Sequence, residues 1–165
     1  MRQRPRNPAS DSQSVCGALE RWLMDRPSLK IIAAFSALPD EVDLSEIIAR
    51  HPERQWVFPR VDGESLKFHQ VKNPETDLIS GAFKIFEPLA TDEEIPVDQI
   101  QVFLCPGLAF DAGGGRLGRG RGFYDRMLAN AAVSALKLGI CFPDQLVADT
   151  FSEPHDVRMD TVISC

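Results

Sequence analysis

The chain has 165 residues, of which 44% are hydrophobic and 25% charged, and its formal net charge is −6. This composition is typical of a soluble globular protein, and the length predicts one domain over residues 11–165 behind a disordered basic tail over residues 1–10. The negative charge argues against general nucleic-acid binding, which needs a basic face. No apolar run approaches the ~18 residues of a membrane span, so no membrane partner is predicted.

The four cysteines, at positions 16, 105, 141 and 165, lack the C-x-x-C spacing of metal and redox motifs. Cys105 and Cys141 lie inside apolar runs, which predicts buried thiols. This pattern is typical of a reducing, cytoplasmic compartment rather than of a disulfide framework.

Hydrophobic periodicity predicts helices that alternate with short strands along the chain. Pro27 should stop the first helix, and Pro59 should end the second strand. The alternation indicates an α/β fold with a mostly parallel sheet. The predicted elements are, in order, a helix over 11–26, a strand over 29–35, a helix over 44–49, strands over 56–58 and 66–71, an irregular acidic stretch over 72–99, a strand over 100–105, a helix from about 121 through 131, and strands over 135–142 and 161–164.

The most informative segment is 106–125, which holds seven of the eleven glycines. It also carries Arg116, Arg119 and Arg121, and residues 112–126 have a local charge of +3 from four arginines and one aspartate. Glycines let backbone N–H groups approach a ligand, and arginines match phosphate or carboxylate oxygens. We therefore predict an anion cradle that suits a small polyanion such as a nucleotide.

Two common phosphate motifs do not explain this segment. Gly113, Gly115 and Gly118 fit G-x-G-x-x-G, but they do not directly follow the strand, and no acid lies where a ribose partner belongs. The Gly-Lys-Ser/Thr of a P-loop is absent. The alternative is a mobile glycine loop with solvated arginines. The apolar strand before it, the helix after it and the adjoining Tyr124 and Asp125 favour a site.

The residues of this segment resemble the signature of the 5-formyltetrahydrofolate cyclo-ligase family. The similar stretches are Pro-Gly-Leu-Ala-Phe-Asp at 106–111 and Arg-Leu-Gly-Arg-Gly-Arg-Gly-Phe-Tyr-Asp at 116–125. The likeness extends from about residue 18 to residue 164. It includes Asp-Glu-Val at 40–42, Phe-Pro-Arg at 58–60, Glu-Pro at 87–88 and His-Asp-Val-Arg-Met-Asp at 155–160.

The resemblance implies a three-layer α/β/α sandwich and an ATP-dependent ligase of one-carbon metabolism. It implies conversion of 5-formyltetrahydrofolate to 5,10-methenyltetrahydrofolate, with Mg²⁺ as cofactor and release of ADP and phosphate. In such a reaction ATP phosphorylates the formyl oxygen, a neighbouring folate nitrogen attacks the carbon, and phosphate leaves. The alternative is a non-catalytic member that only binds nucleotide and folate. We expect a cytoplasmic monomer in either case.

The resemblance also implies site residues. Arg116, Arg119, Arg121 and Tyr124 would be catalytic. Asp125 and Asp156 would bind the metal ion. ATP would be bound by Arg116, Leu117, Gly118, Arg119, Gly120, Arg121, Gly122, Phe123 and Tyr124. The folate would be bound by Ser36, Glu41, Phe83, Arg119, Gly120, Arg121, Gly122 and Phe123.

Several of these residues have a second interpretation. Asp125 could cap its helix, and Asp156 could be a solvated charge in an acidic turn. Glu41 could be a surface charge and Phe83 a core residue. Asp111, outside the implied site, is predicted to be a turn residue that supports the loop.

One feature of the family is not found in this sequence. The resemblance implies an opening helix with Lys and Arg about one turn apart, which reach the ATP phosphates. The sequence begins near the family's second helix, with Arg2, Arg4 and Arg6 before it. Pro5 and Pro8 oppose a helix there. Three alternatives follow: the tail arginines fold over the nucleotide, with Arg6 as the candidate replacement, or ATP is bound less well, or catalysis has been lost.

Overall fold

The computed structural model describes residues 7–165 of the chain. Helices and strands alternate along most of the chain as predicted, although most elements differ from their predicted bounds by a few residues. The prediction that the stretch 72–99 is irregular is wrong in part, because it contains a short helix and three short strands, the last of which pairs into the main sheet. In chain order they are α1 (Pro8–Met24), β1 (Ile31–Ala33), α2 (Ser45–Arg50), β2 (Gln55–Asp62), β3 (Ser65–Gln70), α3 (Pro74–Asp77), β4 (Ile79–Ser80), β5 (Phe86–Glu87), β6 (Glu94–Ile95), β7 (Val102–Cys105), β8 (Ala109–Phe110), β9 (Arg116–Leu117), α4 (Phe123–Leu128), β10 (Leu136–Ile140) and β11 (Thr161–Ile163).

The main sheet has seven strands in the order β11-β10-β7-β1-β2-β3-β6. The five strands from β11 to β2 are parallel to one another. β3 and β6 continue the sheet in antiparallel fashion at one edge. The prediction of a mostly parallel sheet is therefore confirmed.

Helices pack on both faces of this sheet. On one face, Val15 and Leu19 of α1 and Ile47 of α2 are buried in one hydrophobic cluster with sheet residues. On the other face, Met127 and Leu128 of α4 belong to a second cluster. The alternation of side chains along each strand supplies both clusters, which confirms the three-layer α/β/α arrangement.

The order of the strands creates a crevice at one edge of the sheet. From β1 the chain proceeds through β2, β3 and β6 in one direction, and from β7 it proceeds through β10 and β11 in the other. The loops that follow β1 and β7 therefore diverge at the carboxyl ends of these two strands. Such a switch point is where open α/β sheets bind ligands.

The prediction that Pro59 ends the second strand is wrong. β2 continues to Asp62, and Pro59 pairs with Phe68 of β3. The pairing of β2 with β1 stops at Val57. Beyond that residue β2 has one neighbour, and a proline is tolerated where a strand has an unpaired edge.

The first helix begins earlier than predicted. Pro8 occupies its first turn, where the missing proline N–H is not needed for helical hydrogen bonds. The helix thus begins at Pro8 rather than at residue 11, whereas the expectation that Pro5 and Pro8 oppose a helix concerns the preceding stretch. Arg2, Arg4, Pro5 and Arg6 lie outside the described residues. None of the helices within residues 7–165 is long and apolar enough to cross a membrane.

The cysteines agree with their sequence interpretation. Cys105 and Cys141 are buried, Cys165 is exposed, and all four residues are free thiols. Burial raises the pKa of the Cys105 thiol to about 12. Cys105 ends β7 and is therefore a packing residue beneath the loop that follows it.

Candidate active site

A cavity of about 640 Å³ lies at the switch point of the sheet. This volume is within the range of small-molecule sites. The loops after β1, β7 and β10 all contribute to its lining. Every site residue implied by the sequence lines this cavity, namely Ser36, Glu41, Phe83, Arg116, Leu117, Gly118, Arg119, Gly120, Arg121, Gly122, Phe123, Tyr124, Asp125 and Asp156.

The first half of the glycine loop, residues 111–115, is organised around the buried carboxylate of Asp111. Its Oδ1 accepts hydrogen bonds from the backbone N–H groups of Gly113 and Gly115, both at 2.9 Å. Its Oδ2 accepts from the Thr150 hydroxyl at 2.7 Å and the Thr150 N–H at 3.0 Å. These bonds, led by that of the hydroxyl, lower the pKa of Asp111 to about 2. The prediction that Asp111 supports the loop is confirmed.

Gly115 is a glycine because its neighbours leave no room for a side chain. A Cβ atom at this position would lie 2.2 Å from Asp111 Oδ2 and 2.2 Å from Thr150 Oγ1. The prediction that all seven glycines form one anion cradle is therefore wrong for this half. The N–H groups of Gly113 and Gly115 are already bonded to Asp111, so they are not available to a ligand.

The second half of the loop, residues 118–122, lies open along the cavity. Gly120 has φ +88° and no neighbouring atom within 4 Å of the position of a Cβ. Its backbone conformation, rather than crowding, requires glycine. The predicted cradle is thus confined to this second half, directly before α4.

Arg116 lies between the two halves and is almost fully buried, with 6% of its side chain exposed. Its Nη1 donates to the Pro106 carbonyl at 3.0 Å, and its Nη2 lies 3.8 Å from Asp125 Oδ2. The ring of Tyr124 lies 5.2 Å from the guanidinium carbon. Among the residues that the structure describes, the buried Nε has no hydrogen-bond partner. An unsatisfied donor in a cavity wall is a candidate contact for a ligand oxygen.

Arg119 reaches across the cavity to two acids in the loop after β1. Its Nη2 lies 2.8 Å from Asp40 Oδ1 and 3.2 Å from Glu41 Oε1. The Glu41 side chain is 8% exposed, which excludes the interpretation of this residue as a surface charge. Burial raises the pKa of the Glu41 carboxyl, and the Leu38 N–H and Arg119 oppose that rise.

The ring of Phe83 forms an aromatic part of the cavity wall. Phe83 is 47% exposed, which excludes the interpretation of this residue as a core residue. Its ring lies 3.7 Å from the Arg121 guanidinium carbon and 6.1 Å from the Phe123 ring. Its φ of 58° is unusual for a bulky side chain. Such local strain persists where the surroundings enforce it, as at ligand sites.

A partly buried ion pair supports the Phe83 segment. Arg60 donates to Glu87 Oε1 at 3.0 Å and to the Pro88 carbonyl at 3.0 Å. Glu87 in turn lies against Gly81, where a Cβ would be 2.0 Å from its carboxyl carbon. Arg60 and Glu87, which carried part of the family resemblance, are thus positioning residues for the cavity wall.

The two implied metal ligands, Asp125 and Asp156, both line this cavity and are linked through the residue after Asp156. Asp125 Oδ1 accepts the N–H of Val157, the residue next to Asp156, at 3.1 Å. Each of these carboxylates is 23% exposed. Asp125 does not cap its helix, because Gly122 holds the N-cap position. No group of three or more potential metal ligands occurs among residues 7–165. Two carboxylates nevertheless fit Mg²⁺, which commonly takes one or two carboxylates together with substrate phosphates.

Tyr124 is half-buried beside Arg116. Burial raises the pKa of its hydroxyl, so the group remains protonated at neutral pH. It can therefore donate a hydrogen bond but cannot serve as a general base.

Sequence reasoning missed three contributions to this site. Asp40 pairs with Arg119, Thr150 anchors Asp111, and Phe151 is 83% exposed at the cavity rim with φ 54°. The sequence offered a signal for Phe151, because this residue lies among polar residues rather than in an apolar run that would predict a core position. No sequence signal identified Thr150, because its partner lies 39 residues earlier.

Comparisons with known proteins show to which family the chain is similar. The model of the 5-formyltetrahydrofolate cyclo-ligase family matches residues 5–165. The 5-formyltetrahydrofolate cyclo-ligase of Mycolicibacterium smegmatis is 40% identical over 90 residues, which cover 53% of this chain and 45% of that protein. The protein of the same name from Mycoplasma pneumoniae is 29% identical over 92% of this chain and 83% of its own length. The aligned region thus spans less than half of the first relative and most of the second.

Two solved structures share the fold. The Aquifex aeolicus 5,10-methenyltetrahydrofolate synthetase superposes with a TM-score of 0.82 and 28% identity, over 95% of this chain and 79% of that one. The Mycoplasma pneumoniae 5,10-methenyltetrahydrofolate synthetase gives a TM-score of 0.77 at 23% identity, over 98% and 89%. On the family match over nearly its whole length, the chain belongs to the 5-formyltetrahydrofolate cyclo-ligase family.

Proposed function

We propose that this chain converts 5-formyltetrahydrofolate to 5,10-methenyltetrahydrofolate with consumption of ATP and release of ADP and phosphate. The observation that carries this proposal is a cavity that brings together a basic glycine segment, two carboxylates and an aromatic wall with a buried acid. These features match the triphosphate, a metal ion and the ring system of a reduced folate, respectively.

The arginines would supply the charge that phosphoryl transfer requires. The reaction moves negative charge between ATP and the formyl oxygen, and its catalysis depends mainly on positioning and charge stabilisation. Arg116 offers a buried donor without a partner among the described residues, and the segment 118–122 lines the same cavity. A buried donor of this kind needs no reorganisation as the transition state forms.

Glu41 and Phe83 would hold the folate. A carboxylate accepts two hydrogen bonds from an aminopyrimidinone edge, as the pterin ring presents. Ser36 adjoins this position, and the Phe83 ring can pack against a planar group. The formyl group would thereby lie between Glu41 and the arginines, which both line the cavity.

Asp125 and Asp156 would hold Mg²⁺ together with phosphate oxygens. When bound, the ion would neutralise charge on the transferred phosphoryl group. We further propose that the chain acts as a monomer in the cytoplasm, a reducing compartment that suits its free thiols, of which three of the four are buried.

A direct assay tests this proposal. The purified chain is mixed with ATP, Mg²⁺ and 5-formyltetrahydrofolate, and the methenyl product is followed by absorbance. Asp125→Asn and Asp156→Asn should each lower turnover and raise the Mg²⁺ concentration needed for half-maximal rate. Asp62→Asn, an exposed acid in the β2–β3 hairpin, is the matched control.

The same assay separates the enzyme from the non-catalytic alternative. Nucleotide and folate binding without product at any Mg²⁺ concentration would support a binding protein. Absence of binding by both ligands would contradict both functions.

A further inference from the structure

The Arg119 guanidinium pairs with the Glu41 carboxylate, which is the group proposed to bind the folate ring. Both oxygens of Glu41 have partners, because Oε2 accepts the Leu38 N–H at 3.0 Å and Oε1 lies 3.2 Å from Arg119 Nη2. Asp40 holds the same Nη2 at 2.8 Å. Arg119 is 39% exposed while Glu41 is 8% exposed, so the arginine covers an acid that has little other open surface.

A folate ring and Arg119 would therefore compete for Glu41. An aminopyrimidinone edge presents parallel N–H donors, which need the same oxygens and the same direction of approach. If folate displaced Arg119 from Glu41, Asp40 would be the one of these two acids that still pairs with the guanidinium. An exposed ion pair of this kind contributes little binding energy.

The backbone around Arg119 permits the side chain to move. Gly118 and Gly120 flank it, and Gly120 has φ +88° with open space around it. This segment is also part of the basic glycine stretch proposed to bind the triphosphate. A displaced Arg119 guanidinium would thus remain in the same cavity as the phosphates.

We propose that folate binding moves the Arg119 side chain from Asp40 and Glu41 to the phosphates of the bound nucleotide. This inference rests on the proposed function. It makes Asp40 a positioning residue, which pairs with Arg119 until folate binds. Because equilibrium coupling is reciprocal, folate should tighten nucleotide binding and nucleotide should tighten folate binding by the same factor. Hydrolysis of ATP without folate should stay low, because the arginine is then held by Asp40 and Glu41.

Calorimetry on the full chain tests the coupling. The Kd of the non-hydrolysable analogue AMP-PNP, in the presence of Mg²⁺, is measured with and without saturating 5-formyltetrahydrofolate. We expect folate to lower this Kd by about 10-fold, a typical coupling between two sites. In Arg119→Ala the ratio of the two values should fall to about 1, because the coupling device is removed.

Asp40→Asn provides the sharper variant because it leaves Glu41 intact. It should keep folate binding, tighten AMP-PNP binding in the absence of folate, and raise ATP hydrolysis without folate. Arg50→Ala is the matched control, since it removes a surface arginine that pairs with Glu20 and Glu46, neither of which lines the cavity. It should reproduce the ratio of the unmodified chain.

The outcomes are separable. A ratio of 1 in the unmodified chain with both ligands bound, or an unchanged ratio in Arg119→Ala, overturns the inference and leaves the proposed function standing. Failure of the unmodified chain to bind folate overturns the proposed function, and the inference falls with it.

Discussion

The two halves of the glycine loop each hold three glycines but have opposite environments. In residues 111–115 the backbone is bonded to Asp111 and packs against the 150–159 segment. In residues 118–122 it lines the cavity, and Gly120 has open space around it. Glycine thus serves close packing in the first half and backbone conformation in the second. A rigid half placed directly before an open half fixes where the arginines emerge while leaving their segment free to adapt.

The largest expected effect belongs to Arg116, which joins the two halves. Arg116→Ala should lower turnover by about 10² to 10³, the usual loss for one preorganised transition-state donor. The Kd for folate should change far less, because Arg116 does not contact Glu41 or Phe83. Steady-state kinetics and folate calorimetry measure the two quantities, with Arg21→Ala on the exposed face of α1 as the control. Equal losses in turnover and folate binding would contradict the role given to this arginine.

A pair of alanine substitutions compares the halves directly. Gly115→Ala should lower the free energy of unfolding by about 3 kcal/mol, because its Cβ overlaps Asp111 and Thr150. Gly120→Ala should cost about 1 kcal/mol from its positive φ alone. Urea unfolding of both variants measures the difference. Similar losses at the two positions would mean that the halves do not differ in packing.

The pH dependence of stability tests the anchor of the first half. The pKa of Asp111 is lowered to about 2 in the folded chain, so its stabilisation is present above the unfolded pKa of about 3.9. It is lost as the pH falls through about 2. Asp111→Asn should therefore cost about 2 kcal/mol at pH 7 and progressively less below pH 4.

Urea unfolding at several pH values measures this loss, and Asp62→Asn is the exposed control. A deficit in Asp111→Asn that stays constant from pH 7 to pH 2 would assign the effect to shape rather than to charge.

The smallest expected effect concerns Arg158, which donates to the Gly113 carbonyl at 3.0 Å from an exposed position. Arg158→Ala should change the free energy of unfolding by less than about 0.5 kcal/mol, as is usual for an exposed contact. Turnover should also stay near that of the unmodified chain. A large loss of stability would show that this bond, and not Asp111 alone, anchors the first half of the loop.

Local patterns were sufficient for the class of the fold and for six of the seven strands of the main sheet. They missed β6, which lies in the stretch 72–99 that was expected to be irregular. Hydrophobic periodicity identified α1, α2 and the buried strand β7, because these segments bury one face or run entirely within the core. The bounds were less well predicted where tertiary neighbours decide them. Pro59 stays within β2 only because β1 has already ended on that side.

The contacts of the candidate site also fall into those that the sequence predicts and those that tertiary neighbours decide. The Arg-Leu-Gly-Arg-Gly-Arg-Gly-Phe-Tyr-Asp run is contiguous in sequence, so its residues can be named from the sequence alone. The pairing of Asp40 with Arg119 joins positions 79 residues apart, and that of Asp111 with Thr150 joins positions 39 apart. Residue types and spacing carry no information about such contacts.

The amino-acid sequence by itself determined an α/β chain with a basic, glycine-rich segment after a buried strand, because periodicity and composition act locally. Only the tertiary structure decided which glycines are packed and which are open. That choice depends on where the 150–159 segment and the loop after β1 come to lie, and the strand order of the sheet sets both positions.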